Sequence, residues 1–489
     1  MRGYLERLPA ALWVLAVALS GCAVGPNFTP PPAPTDSDYT AETLPATTEK
    51  TDVAGGEAQH FQLASDLPGQ WWTLFGSSEL DALITSAVAN YPDIAAQQAA
   101  LRAARENVKA ELGVFAPQLQ GSGFSTRERS SGAAIGPGFQ GFITDIFQAS
   151  VNVSYVIDLF GGERRALEGL QAQAQAQNFQ LEASYLTLTS NVVSSAIQLS
   201  SVREQIAVTH EIIALEEKQL HVITRLFELG SRTQGDVLLQ QSNLATVRAT
   251  LPPFQQQAAT AEHQLAVLTG RPPHQSLPVR LELADLKLPQ ALPVSLPSSL
   301  VAQRPDIRLQ ELALHQASAA IGVATAAMLP QLTLSGARGG ESLHTSDLFS
   351  PQAMIWNVTA GVAQPIFQGG TLRAKRRAAI DAYDQAAAEY RLTVLQALQN
   401  VADTLTALEN DALALKAEYD AVNAAGASLA LIQKQYDAGA VDYVSLLTAQ
   451  QTYQQVRIAY VRALASRYTD TVSLFQALGG GWWNRHPKL

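Results

Sequence analysis

Apolar and polar side chains alternate between residues 147 and 160. Phe147, Ala149, Val151, Val153, Tyr155, Ile157 and Leu159 share one face. Gln148, Ser150, Asn152, Ser154 and Asp158 share the other, with Val156 as the exception. Residues 355–367 repeat the pattern: Trp356, Val358, Ala360 and Val362 stand opposite Asn357, Thr359 and Gly361. Period-two alternation of this length predicts half-buried strands. Weaker patterns near 117–126 and 330–338 predict their partners. About 9–11 residues also suit a strand that crosses a membrane.

The pattern then changes to long helical stretches. Residues 163–229 and 371–438 contain no proline and almost no glycine. Such a stretch makes a helix of roughly 100 Å, against a mean helix of about 11–12 residues. Each runs to a glycine, Gly230 or Gly439, suited to the left-handed turn that closes a helix. A second helix then returns, at 234–269 and 442–478. Shorter helices of about thirty residues are predicted at 79–112 and 298–328, before Pro117 and Pro330. Val202, Ile206, Ile213, Leu220, Ile223 and Phe227 form an apolar stripe that needs neighbours along its length. The alanine face at Ala374, Ala378, Ala382 and Ala386 permits close helix–helix approach.

The same order of elements occurs twice because the chain is a tandem duplication. Pro92, Asp93, Ile94, Gln97, Leu101, Ala104, Pro117, Gln118 and Leu119 match residues 213 positions later, from Pro305-Asp306-Ile307 to Leu332. Phe160-Gly161-Gly162 echoes Phe367-Gln368-Gly369-Gly370. At an offset of 209, Leu238, Gln241, Val247, Arg248, Leu265 and Gly270 match Leu447, Gln450, Val456, Arg457, Leu474 and Gly479. The repeats therefore span 71–270 and 298–480. Residues 271–297, with six prolines, have linker composition. Residues 481–489 form a tail. Residues 22–70, rich in Pro, Thr, Ala and Asp, read as an extended tether, with ordered structure expected to begin near Trp71-Trp72.

Only one cysteine occurs in 489 residues, so no disulfide forms within the chain. Cys22 follows Arg2, Arg7 and an apolar core at 10–19, too short to span a bilayer. Residues 1–21 read as a signal peptide. Leu19-Ser20-Gly21-Cys22 resembles the bacterial lipobox, which implies cleavage before Cys22 and acylation of its thiol. Ala23 is not the Asp of an inner-membrane retention signal, so the rule points to the outer membrane, with the protein extending into the periplasm. The net charge is −10 and no long run of Lys and Arg occurs, which argues against nucleic acid as a partner.

Four strands cannot close a barrel, since small barrels need about eight. Open edges are not tolerated in lipid. Strands in a membrane would therefore require oligomerisation; the residues alone allow eight strands from two copies or twelve from three.

The layout resembles the TolC/OprM family of outer membrane efflux proteins, in its lipoprotein branch of NodT type. The resemblance rests on Cys22-Ala23-Val24-Gly25-Pro26, Trp71-Trp72 with Phe75, the paired Pro-Asp-Ile segments and the Phe-x-Gly-Gly at 367–370. It rests also on Tyr436-x-x-Gly439, Tyr443-x-x-Leu446-Leu447 and Leu478-Gly479-Gly480-Gly481-Trp482. It implies an α+β membrane protein: a homotrimer with a 12-stranded outer membrane β-barrel continuous with a long periplasmic α-helical barrel. The implied partners are outer membrane lipid, a periplasmic adaptor and an inner-membrane efflux pump, with small molecules such as drugs as cargo. Gly230, Ser231, Arg232, Thr233, Gly439, Ala440 and Val441 correspond to the adaptor-contacting tips. Asp236, Val444 and Thr448 correspond to the periplasmic gate. Thr448 stands where such proteins carry Asp, and Asp442 is the nearest substitute. Asp236 reads equally as an acid favouring a helix start, and Asp442 reads so more than as part of the gate.

Other patterns carry less. Gly136-Pro137-Gly138-Phe139-Gln140-Gly141 matches a dinucleotide-binding spacing but lacks the strand before and helix after; it reads as the loop between the first two strands, paired with 339–353. His210, His221 and Glu217 share a helix face and read as solvated rather than as a metal site. The Gln-rich run at 171–180 reads as polar helix. Trp71, Trp72, Trp482 and Trp483 suit either interfacial anchors or packing outside the strands. No catalytic motif and no cofactor or metal site is expected. The rival readings are a non-conducting envelope scaffold and the outer duct of a protein-secretion system.

Overall fold

The computed structural model describes residues 23–35, 38–41, 45–131, 136, 138, 140–275 and 281–485. The expected signal peptide, residues 1–21, and Cys22 lie outside the described residues, as do Pro137 and Phe139 of the glycine-rich loop. The chain divides into two compact units. One comprises residues 1–31, 100–178 and 309–391; the other comprises 32–99, 179–308 and 392–489.

The first unit holds a four-stranded antiparallel sheet. Its strands, numbered along the whole chain, are β2 (Gln118–Ser130), β3 (Phe142–Ile157), β5 (Gln331–Ser342) and β6 (Met354–Ala363). Their order is β2-β3-β5-β6, so β2 and β6 are free edges. The hairpins are in register as Gln118↔Ser154 and Gln331↔Ala363, and the halves join as Ser154↔Ser335. Strands extend further than the alternation suggests, because Arg127 to Ser130 and Gly339 to Ser342 keep pairing after the apolar residues end. One face is apolar and bare: Trp356, Val358 and Val362 are more than two-thirds exposed. The other face bonds across strands, with Asn152 Nδ2 donating to Ser122 Oγ at 2.8 Å.

The long helices are α3 (Gly162–Glu228) and α7 (Thr371–Asp437), which contribute to both units. Their returns are α4 (Gln234–Leu268) and α8 (Tyr443–Ala477). The expected thirty-residue helices are each broken in two. The first becomes α1 (Ser78–Asn90) and α2 (Pro92–Leu112); the second becomes α5 (Pro297–Gln303) and α6 (Pro305–Ala326). Tyr91 and Arg304 are extended, at φ −70°, ψ 120° and φ −80°, ψ 124°. A proline excludes its predecessor from the helical region yet is favoured as the first residue of the next helix. The repeated Pro-Asp-Ile thus marks a break rather than a helix interior. Among the described residues, no helix is long and apolar enough to cross a membrane.

The second unit corrects two expectations from composition. The tether contributes β1 (His60–Leu63), which pairs in parallel with β4 (Ala291–Val294) from the linker. Arg467 on α8 is fully buried and gathers this segment. Its guanidinium donates to Gly55 O, Glu57 O, Gln59 Oε1 and Thr48 Oγ1 at 3.0–3.3 Å. The linker buries Leu281, Leu283, Leu286, Leu288, Leu292 and Val294. A proline-rich stretch can still dock when alternate apolar residues meet a core and its carbonyls find donors; Tyr468 Oη, for one, donates to Leu286 O at 3.1 Å.

Trp71, Trp72, Trp482 and Trp483 pack within this second unit. Trp71 is 1 % exposed and meets Phe475 at 5.7 Å between ring centroids. Trp482 and Trp483 donate to Gln303 O and Asp66 Oδ1. These contacts tie Trp71, Trp482 and Trp483 into the packing of this unit.

Candidate functional site

Both hairpins turn by the same geometry. Gly230 N donates to Phe227 O and Ser231 N to Leu226 O; Gly439 N donates to Tyr436 O and Ala440 N to Gln435 O. These are the paired 5→2 and 6→1 bonds of a Schellman motif. Gly230 and Gly439 hold φ of +76° and +73°, with open space beside them. Glycine is therefore required at both by backbone conformation, not by crowding.

The helices that follow start on two different caps. Thr233 caps α4 reciprocally: Asp236 N donates to Thr233 Oγ1 at 3.2 Å, and Thr233 N donates to Asp236 Oδ2 at 2.9 Å. Asp442 caps α8 directly, accepting from Ser445 N at 2.8 Å and Ser445 Oγ at 2.6 Å. These two bonds hold the Asp442 carboxyl below the usual carboxylate range.

Between the tips lies a small core. Ile223, Val237, Tyr436, Tyr443 and Leu446 are buried together, and Val441 packs against them. Arg232 crosses from the first tip to lie 4.8 Å over the Tyr436 ring, a cation–π contact. Burial first pushes both Tyr436 and Tyr443 up; the Arg232 charge opposes it at Tyr436, and the Glu216 charge adds to it at Tyr443. The tip residues Arg232 and Val441 thus bind the hairpins to one another, while Ser231 and Ala440 remain exposed.

Asp442, Val444 and Thr448 come together along one groove of about 420 Å³, lined also by Ser428, Ile432 and Thr452. Val444 is 55 % exposed. Thr448 Oγ1 donates to Val444 O at 2.9 Å, so it offers the groove neither a charge nor a free donor. Asp236 is not among the groove's residues; its carboxylate faces its own cap.

These geometries coincide with matches to known proteins. The sequence profile described as outer membrane efflux protein matches residues 83–271 and 296–480. The chain belongs to the outer membrane efflux protein family. It is 30% identical over 462 residues to the pyoverdine export outer membrane protein OpmQ of Pseudomonas aeruginosa, covering 94% of this chain and 95% of OpmQ. It is 29% identical over 477 residues to the toluene efflux pump outer membrane protein TtgF of Pseudomonas putida, covering 96% of each. The outer-membrane channel OprN superposes with a TM-score of 0.83 at 25% identity, over 94% of this chain and all of OprN. The Campylobacter jejuni channel CmeC shares the fold with a TM-score of 0.83 at 21% identity, over 94% of this chain and 95% of CmeC.

The fold class is therefore the tandem-repeat α+β fold of these channels. The efflux protein resides in the outer membrane and extends into the periplasm. Its family acts as efflux channels, and none of the matched relatives named above is described as an enzyme. His210 and His221 are exposed and Glu217 accepts from Arg248 at 2.6 Å; among the described residues no acid, His and Cys cluster could hold a metal.

Sequence reasoning missed one buried network of this efflux protein. Glu216 on α3 is 2 % exposed. Its Oε2 accepts from Gln240 Nε2 at 2.6 Å and Asn243 Nδ2 at 2.9 Å, both on α4. Gln451 on α8 donates to Asn243 Oδ1 at 2.9 Å, joining the second hairpin. Burial pushes the Glu216 carboxyl up, against the pull of these two donors. The expected apolar stripe did not include it. The inward line runs through Val202, Gln205, Thr209, Ile212, Glu216, Leu220 and Ile223. It lies one residue from the expected Ile206 and Ile213, because three of its seven positions, Gln205, Thr209 and Glu216, are buried polar groups.

Proposed function

We propose that this protein is the exit duct of a tripartite efflux system, exporting small molecules with a periplasmic adaptor and an inner-membrane pump. The observation that carries the reading is the sheet with an apolar, exposed face and two free edges, β2 and β6. Unpaired edges in lipid lack water to satisfy them, so copies must close on one another. Three copies give the twelve strands that the family fold implies. Acylation of Cys22 supplies the anchor; more than one acyl chain is needed for stable attachment.

In this reading Gly230 to Thr233 and Gly439 to Val441 meet the adaptor. Asp442, Val444 and Thr448 form the gate, with Asp236 set behind it as a cap. The domain divisions at 71–270, 271–297 and 298–480 are those of the duplication. The cargoes for which the two relatives are named, pyoverdine and toluene, favour small molecules over secreted proteins.

The test is planar-bilayer conductance of the full-length protein, paired with drug accumulation in a deletion strain. Discrete channel openings and raised accumulation, reversed by the intact gene, are expected. A protein that inserts no conductance and whose loss leaves accumulation unchanged contradicts the reading.

A further inference from the structure

The two repeats differ in charge where the strands hand over to the long helices. Aligning Gly161-Gly162 with Gly369-Gly370 makes the repeats each other's control. In repeat one, Asp158, Glu163 and Glu168 accompany Arg164 and Arg165. Arg164 pairs with Asp158 at 3.2 Å and Arg165 with Glu168 at 2.6 Å. The corresponding acids in repeat two are replaced by Ile366, Thr371 and Arg376. There Arg373, Lys375, Arg376 and Arg377 crowd the first two turns of α7, all exposed. Arg376 Nε donates to Thr325 Oγ1 at 3.3 Å; among the described residues none of the four has an ion pair. Cations are disfavoured at a helix N-terminus, so this cluster calls for an external anion.

Repeat one carries the opposite imbalance. Glu111, at the end of α2, and Glu163, at the start of α3, have no ion pair among the described residues. Burial first, then the charges of Glu111 and Asp158, pushes the Glu163 carboxyl up. Glu111 precedes β2 and Glu163 follows β3, the strand paired with β2, while the cations follow the end of β6. The two places lie at the same end of the sheet, the end away from the hairpin loops, where Gln118 pairs with Ser154 and Gln331 with Ala363. Glu111 lies beyond the free edge β2 and the cations beyond the opposite free edge β6.

We propose that Arg373, Arg376 and Arg377 of one copy dock against Glu111 and Glu163 of the next, as an ionic latch that sets the register of the β6–β2 seam. The proposal rests on the cyclic assembly argued above. A head-to-tail ring presents complementary, not identical, patches at each junction. Antiparallel pairing of β6 with the next copy's β2 carries residues 364–377 alongside residues 105–117 of that copy. Arg373, Arg376 and Arg377 lie at i, i+3 and i+4, one helix face. The duplication explains how one chain supplies both halves: repeat two lacks acids where repeat one has them.

The first test places cysteines at Glu111→Cys and Arg373→Cys in the full-length protein. Mild oxidation should give a ladder of covalent dimers and trimers with both changes and none with either alone. Monomer only, in a protein whose wild type is a trimer by mass photometry, overturns the latch and leaves the assembly standing. A monomeric wild type overturns both. The second test reverses charge. Arg373→Glu, Arg376→Glu and Arg377→Glu together should lose the trimer on mild heating, and adding Glu111→Lys with Glu163→Lys should restore it. If phosphatidylglycerol vesicles restore it and the reciprocal change does not, the cations serve lipid headgroups and the latch is overturned.

Discussion

Asp236 and Asp442 begin corresponding helices from different cap positions. Asp236 stands at the third residue of α4 and accepts from Thr233 N at 2.9 Å; Asp442 stands before α8 and accepts from Ser445 N at 2.8 Å. At the repeat offset of 209, Thr233 corresponds to Asp442 and Asp236 to Ser445. The carboxylate has changed places with its hydroxyl partner, and each tip still satisfies its helix start. Both acids therefore have a structural role independent of any effect on permeating ions.

Thr233→Ala removes one half of the reciprocal cap. The loss should cost about 1 kcal/mol locally. Hydrogen exchange should speed up in the first turn of α4 and stay unchanged in α8. Equal acceleration in both helices would show that the caps are coupled rather than separate.

Thr448→Asp puts a carboxylate into a groove that now holds a hydroxyl bonded to its own helix. A ring of added acids favours cations. The reversal potential across a potassium chloride gradient should shift toward cation selectivity relative to wild type. An unchanged potential would place Thr448 away from the permeation path.

Glu216→Ala strips two buried amide donors, on Gln240 and Asn243, of their acceptor. An unsatisfied buried group costs about 1–3 kcal/mol, so thermal stability of the detergent-solubilised protein should fall clearly. Glu216→Gln keeps an acceptor oxygen and should fall less. If both variants match wild type, the network does not hold the hairpins together.

The Asp411 carboxyl, on α7, is pushed up to about 7, by burial first and then by the Asp470 carboxyl, with Arg467 opposing. Its folded value exceeds its unfolded one, so its stabilising contribution is full below the unfolded value and is lost as pH rises through about 7. The unfolding midpoint should therefore drop between pH 5.5 and 8.5 by more in wild type than in Asp411→Asn. Parallel curves would remove Asp411 as the cause.

The sequence was most legible where one period ran long without interruption. The proline-free stretches 163–229 and 371–438 end within one residue of the observed α3 and α7. The strands were found from Phe147 to Ile157 but undershot at their polar ends, where pairing alone keeps Arg127 to Ser130 in the ladder. Composition misled at 45–67 and 281–294. No local pattern announces that Gln59 will meet an arginine 408 residues away. At the tips, the glycines and acids were readable from spacing. The Tyr436–Tyr443 core and Glu216 were not, because their partners come from other helices.

The central claim is that copies of this chain close into one continuous duct. Single-particle imaging of the full-length, detergent-extracted protein tests it most directly. The account predicts a hollow particle with three-fold symmetry, twelve strands in one barrel and β6 of each copy paired with β2 of the next. A monomer, or a solid rod without a lumen, would contradict it.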